Sequence, residues 1–165
     1  MMNLEQAQLL SFSLGEDIYG IDITRVQEIR ALGAVRKLPN TPSHCIGVVD
    51  FRQEMVPILD LRELFGYSNH SINAQTVMII VAIGALETDV LVGIIVDSVS
   101  DVIAIEKEKI KPSPKMGGRV NTDFMKGMFK HEDQIVVVLS LQSLLDSEEL
   151  GEIKMLVEHE KVVAE

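Results

Sequence analysis

Between Cys45 and Gly66 the chain places two apolar, β-prone runs around a short polar break and closes with one helical turn. Ile46 to Phe51 and Met55 to Leu59 read as strands, with Gln53-Glu54 between them and Arg52 at the turn. Leu61 to Phe65 can close one turn of helix before Gly66 stops it. Two strands joined this closely make a hairpin, so the segment commits the chain to antiparallel β structure.

Other segments repeat the pattern. Leu10, Phe12 and Leu14 alternate with Ser11 and Ser13, Gly15-Glu16-Asp17 makes a turn, and Tyr19, Ile21 and Ile23 resume the alternation. Thr76 to Ile83 and Val90 to Val96 are nearly continuous apolar runs, which predicts a second hairpin buried on both faces. Ile135 to Leu141 is a further strand-like run. Many short strands separated by turn signals predict a mainly β protein, a sandwich or small barrels. Three helical segments are expected among them. Val26 and Ile29 share a face after Asp22 or Thr24, Asn121-Thr122-Asp123 opens a segment from Phe124 to Phe129, and Asp146 with Glu149 at the capping-box spacing begins a terminal helix. In that terminal helix Leu150, Ile153 and Val157 fall on one face. Met116, Met125 and Met128 with Phe124 and Phe129 are expected as one adaptable apolar cluster, read first as core filler.

The 165 residues suit one domain, expected over 8–149 with an acidic helix or tail over 150–165. A net charge of -10 argues against nucleic acid and anionic membrane surfaces as partners, since both select basic faces. Half of that charge lies in 146–165, which holds seven acidic and two basic residues. A single Cys45 excludes an internal disulfide, fits a cytoplasmic protein, and reads as a small buried apolar residue. The N-terminus carries no secretory pattern, and no apolar run reaches the ~18 residues of a membrane span, so no membrane insertion is expected.

Chemistry is hard to find in this chain. Neither a phosphate-binding loop nor a dinucleotide pattern is present. His44, His70, His131 and His159 are scattered, without metal-ligand spacing, and read as solvated surface residues. His44-Cys45 would point to opposite faces of a strand, which defeats a nucleophile and base pair. Asp97 with Asp101, or Asp50 with Asp60, could be imagined as acid and base, but acidic chains offer such pairs by chance. No catalytic residue, metal ligand or cofactor is expected. Glu28 and Arg52 are more telling polar interruptions. They suit either a structural ion pair or a polar rim around an apolar groove for a partner helix.

The Cys45–Gly66 stretch also resembles the "GVxNLRGxxVPxxDLRxxF" signature of the CheW family of bacterial chemotaxis coupling proteins. Tyr19-Gly-Ile-Asp-Ile23 and Val26-Gln-Glu-Ile-Arg30 resemble that family's "YGIDI..VQEIR" segment, followed by Asn40-Thr-Pro42. Gly93 to Val102 and Ile110-Lys-Pro-Ser-Pro114 resemble its "GxxVDxVxDV" and "IxPxP" blocks, in unbroken order from Leu9 to Glu149. Asp50 replaces the usual Asn and Gln53 the usual Gly, and a left-handed Gln53 would cost about 1 kcal/mol.

The resemblance implies two intertwined five-stranded SH3-like β-barrels around a shared apolar core, with short helices and a C-terminal helix. It implies a non-catalytic adaptor between methyl-accepting chemotaxis receptors and the histidine kinase CheA, a monomer in isolation that joins membrane-associated arrays. Val26, Glu28, Arg52 and Val99 match positions of the groove that takes the receptor's cytoplasmic tip. Lys111 and Met116 match a surface for the kinase regulatory domain, where Lys and Met stand in place of the usual Arg and Phe. A pilus-controlling pathway is an alternative output, and a small-ligand barrel or hydrolase using Asp97 and Asp101 is the rival from another class.

Overall fold

Ten strands pair into two five-stranded sheets in the computed structural model, which describes residues 5–33, 35, 37, 45–67, 72–84, 90–112 and 124–145. The first half supplies β1 (Gln6–Leu14), β2 (Asp17–Asp22), β3 (Val26–Ala31), β4 (Cys45–Phe51), β5 (Glu54–Asp60) and α1 (Leu61–Leu64). The second supplies β6 (Val77–Ile83), β7 (Val90–Val96), β8 (Ser98–Glu106), β9 (Met125–His131), β10 (Gln134–Leu139) and α2 (Leu141–Leu145). One sheet runs β8-β1-β2-β10-β9 and the other β3-β6-β7-β5-β4. Each half divides between the sheets: β1 and β2 join β8, β9 and β10, while β6 and β7 join β3, β4 and β5. β3 follows β2 yet pairs with β6, and β8 follows β7 yet pairs with β1. This exchange is what intertwines the two barrels.

The register reveals an internal repeat. Gly20 pairs with Val138 as Gly93 pairs with Ile58, and Val26 faces Val81 as Val99 faces Phe12. Val26-Gln-Glu-Ile-Arg-Ala31 is thereby the counterpart of Val99-Ser-Asp-Val-Ile-Ala104. In the same way β4-β5-α1 matches β9-β10-α2, Gly47 standing for Gly127, Leu59 for Leu139 and Leu61 for Leu141. Both hairpin turns place two non-glycine residues at positive φ, Arg52 and Gln53 in one and Glu132 and Asp133 in the other. Such turns match the twist of the strands they join. Both short helices follow a polar cap: the Asp60 carboxylate accepts from the Arg62 amide, and the Ser140 hydroxyl from the Ser143 amide.

Phe12, Leu14, Tyr19 and Ile21 from one sheet meet Leu59, Ile79, Val81 and Ile94 from the other in the shared core. A ladder of rings from Phe12 through Tyr19 and Phe65 to Phe124, with centroids 5.8–5.9 Å apart, crosses it. Each barrel also holds its own smaller cluster, around Ile58 and Met78 in one and Val136 and Phe129 in the other. The barrel containing β9 closes where Lys111 and Met128 exchange two backbone hydrogen bonds of 2.8 and 2.9 Å. Gly127 permits this seam, since a Cβ there would stand 2.7 Å from the Lys111 carbonyl oxygen.

Several sequence expectations change. Val26 to Ile29 is not a helix but part of β3; only Ile23–Arg25 coils, as a 3₁₀ turn capped by Asp22. The segment from Phe124 to Phe129 is likewise mostly the strand β9. The first signature turn is Arg52-Gln53, and Glu54 already belongs to β5. The expected Met and Phe cluster divides: Phe124 and Met125 pack on the shared core and Phe129 inside one barrel. Met116 and the terminal helix expected from Asp146 lie outside the described residues, and α2 precedes that position.

Candidate functional site

β3 is an edge strand, and its outer residues mix charge with exposed apolar area. Ile29 is 42% exposed beside Glu28, whose carboxylate is held by the Arg30 guanidinium. Of the two readings of Glu28 and Arg52, the mutual ion pair does not form. Arg52 instead lies over the Phe51 ring, its guanidinium carbon 4.7 Å from the centroid, and Arg30 approaches the same ring at 5.7 Å. The order Glu28, Arg30, Phe51, Arg52 therefore runs across the seam between β3 and the hairpin of β4 and β5. Two cations approach one aromatic ring, the Glu28 carboxylate pairs with Arg30, and among the described residues Arg52, at a positive-φ turn position, makes no ion pair. The Asp50 carboxylate accepts from the Gln53 amide and fixes that turn.

Val26 and Val99 sit at counterpart positions just after the strand exchange, each half-buried against the shared core. The repeat gives Glu28 an acidic counterpart in Asp101 and Ile29 an exposed one in Val102, 53% accessible. Structure thus groups Glu28 and Arg52 around Phe51, and relates Val26 to Val99 through the repeat. Lys111 stands apart from them on the seam with β9, exposed, with its ammonium donating to the Glu108 carbonyl at 3.4 Å.

Sequence reading missed the dominant electrostatic feature, Arg62, which is 1% exposed. Its Nε and Nη2 donate to the two Asp60 oxygens at 3.0 and 3.1 Å, and Nη1 donates to Asp97 at 3.2 Å. Burial opposes this charge, but hydrogen bonds and attraction from Asp60 and then Asp97 outweigh it and hold the guanidinium pKa above its ordinary value. The other Asp97 oxygen accepts from the Gly15 amide at 2.6 Å, and the Asp97 amide donates to Ser13. Beside this, the Tyr67 hydroxyl donates to Asp17 and shares a 2.5 Å contact with the Tyr19 hydroxyl. Burial, then Asp17 and Tyr19, push the Tyr67 pKa well up. The network ties α1 and the β7–β8 corner to the β1–β2 turn, and so locks one barrel to the other. The nearest sequence signal was the Asp60-Leu61-Arg62 capping position.

The carboxylates considered for acid and base work have structural duties: Asp60 and Asp97 neutralise Arg62, and Asp50 caps a turn. Asp101 is exposed and holds Ser11 through its backbone. Cys45 is buried, as expected of a small apolar residue; burial raises its thiol pKa, slightly offset by the Gly47 carbonyl. His131 lies at the surface beside Glu132, and the other three histidines are outside the described residues. Among the described residues no group of His, Cys, Asp and Glu is placed to hold a metal ion, and no helix is long and apolar enough to cross a membrane.

Comparison with known proteins identifies the family. The chain is 37% identical over 144 residues to the chemotaxis protein CheW of Klebsiella aerogenes, spanning 87% of this chain and 84% of that one. It is 30% identical over 149 residues to the chemotaxis protein CheW of Treponema pallidum, spanning 90% and 88%. The crystal structure of the scaffolding protein TtCheW from Thermoanaerobacter tengcongensis superposes with a TM-score of 0.78 at 30% identity, covering 89% of this chain and 92% of that one. The CheW-like domain profile matches residues 8–149, and the chain belongs to the CheW-like family of chemotaxis scaffolds.

Proposed function

We propose that the chain is a non-catalytic cytoplasmic adaptor that couples methyl-accepting chemotaxis receptors to the histidine kinase CheA. The receptor's helical tip is taken at Val26, Glu28, Arg52 and Val99, and the kinase regulatory domain at the Lys111 surface and Met116. The observation that carries this reading is the edge of β3: an exposed Ile29 flanked by Glu28, with the Arg52 cation beside it meeting no carboxylate among the described residues. An apolar strip with a charged rim suits an amphipathic helix better than a small substrate. The commitment of Asp60 and Asp97 to Arg62 weighs against the hydrolase alternative.

Scaffolding of this kind needs only modest interfaces, because each bound module raises the effective concentration of the next. Regulation follows when binding favours one arrangement of the kinase over another. Calorimetric titration of the purified chain with the kinase regulatory domain and with a receptor-tip fragment tests the proposal. Heat of binding is expected with both, and no binding to either at about 100 μM would refute it.

A further inference from the structure

Although the chain is strongly acidic, one stretch of it is not: between Lys107 and Lys130 there are seven Lys or Arg and two acidic residues. The structure gathers part of that charge on one sheet face. Met128 and Lys130 alternate outward along β9, and Lys111 stands directly opposite Met128 across the barrel seam, so the three share a side. Ile135 of β10, paired with Lys130, joins them and is 61% exposed. Lys126, extruded at the β-bulge of β9, is exposed at the near end. The Lys130 ammonium comes only within 3.9 Å of a fully solvated Asp133, and Lys111 meets a carbonyl, so among the described residues no carboxylate neutralises this face closely.

The chain's own end has the complementary composition. Residues 146–165 carry seven acidic and two basic side chains, and Leu150, Ile153 and Val157 recur at helical spacing with Glu149 and Glu160 flanking that stripe. Its point of departure is also suitable. α2 ends at Leu145, Leu144 packs in a small apolar pocket with Phe124 and Leu139, and Phe124 leads directly into β9. Twenty residues span about 30 Å as helix, and the seven of β9 about 24 Å, so the segment can cover the whole face.

We infer that residues 146–165 dock in cis on the outer face of β9 and the Ile135 end of β10, beyond the point where Val137 enters the shared core, their acidic side chains on Lys111, Lys126 and Lys130 and their apolar stripe on Met128 and Ile135. This contact does not depend on the adaptor reading. It makes the Lys111 face a surface with an internal competitor, so any acidic partner must displace the chain's own end.

The test uses the full ¹⁵N-labelled chain. Reversing the tail charge with Glu149→Lys, Glu152→Lys, Glu158→Lys and Glu160→Lys should shift the amide resonances of Lys111, Met128, Lys130 and Ile135, leaving Glu28, Arg30 and Arg52 in place. Raising salt from about 0.05 to about 0.5 M should move the unaltered chain the same way, because docked charges are screened. Carbodiimide coupling should join tail carboxylates to Lys111, Lys126 or Lys130, and Lys111→Glu with Lys130→Glu should cut the yield about fivefold or more. Shifts confined to the neighbours of α2, or coupling to other lysines, would overturn the inference. Coupling found chiefly between labelled and unlabelled copies would overturn it as well, by making the contact intermolecular.

Discussion

Replacing Arg62 by alanine tests whether the buried network holds the two barrels together. Arg62→Ala removes the side-chain hydrogen bonds of 3.0–3.2 Å to Asp60 and Asp97 and leaves Asp60, only 6% exposed, without its guanidinium partner. Breaking a buried ion pair from one side costs about 3–5 kcal/mol, and the Asp60 half carries most of that. Asp97 adds less, since its side chain is 31% exposed and keeps the Gly15 amide. A total near ~4 kcal/mol is a large share of the ~5–15 kcal/mol that stabilises an ordinary domain. It corresponds to a Tm lower by roughly 8–16 °C for a chain of this size. Urea unfolding followed by circular dichroism should show a lower midpoint at unchanged slope. Arg62→Lys restores the charge without the planar fork and should recover about half of the loss. The double variant Arg62→Ala with Asp97→Asn should be more stable than the sum of the single losses implies, because the two side chains share one interaction. An Arg62→Ala protein within ~1 kcal/mol of the unaltered chain would refute the assignment of Arg62 as the lock between barrels.

Three further outcomes are expected. Arg52→Asp should weaken receptor-tip binding by ~1.5–3 kcal/mol, the range for a charge-assisted hydrogen bond, while folding loses only the ~0.5–1 kcal/mol of an exposed cation–π contact; a large fall in Tm with unchanged affinity would remove Arg52 from the interface. Because the Tyr67 pKa is raised in the folded chain, its contribution is complete below the unfolded value near ~10 and is lost as pH rises above it. Stability should therefore fall more steeply above pH ~10 in the unaltered chain than in Tyr67→Phe, and parallel pH curves from urea melts would contradict this. Gln53→Gly relieves a positive φ of 68° and should stabilise the chain by about 0.5–1 kcal/mol, measurable as a higher urea midpoint. The Asp50 bond comes from the backbone amide and is kept by glycine, so no gain would refute the assignment of strain to Gln53.

Alternation made the β1–β2 hairpin readable and continuous apolar runs made β4–β5 and β6–β7 so, even across the bulge of β4 at Ile46, whereas the strands left unread combine a bulge with interleaved polar residues. β3, β8 and β9 each carry a β-bulge, in which one extra residue breaks the period of two. Gln27 is the extra residue between Val26 and Glu28, so Val26 and Ile29 reach the spacing of a helix face while remaining in a strand. Val99 and Val102 are displaced in the same way on β8. The internal repeat was present in the sequence as the two Val-x-acid-apolar-x-Ala segments, but only the strand exchange shows them to be one element used twice. The barrel count was legible only through family resemblance, because no local pattern announces that β3 will leave its own sheet. For the site, Glu28 and Arg52 were legible as unusual polar residues, but their partners were not. Side-chain pairing depended on Arg30 and Phe51 meeting across a barrel seam. Arg62 was hidden for a related reason: its second partner, Asp97, lies in the other half of the chain.

The strand exchange also explains why the lock and the proposed groove should be coupled. Asp97 occupies the corner between β7 and β8, where the chain crosses from one sheet to the other, and Val99 follows two residues later. Asp22 occupies the matching crossing between β2 and β3, capping the turn that delivers Val26. The two crossings are not equally held. Asp97 engages Arg62 and the Gly15 amide, whereas Asp22 bonds only to Thr24 within its own exposed turn. The Val99 side of the proposed groove is therefore held by an ion pair to the buried Arg62 and a hydrogen bond from the Gly15 amide, and the Val26 side by local hydrogen bonds open to water. A partner helix seated between them meets one rigid wall and one compliant wall. If the proposed groove takes receptor tips, adjustment to different ones falls on β3, the strand that carries Glu28, Ile29 and the Arg30–Phe51 contact.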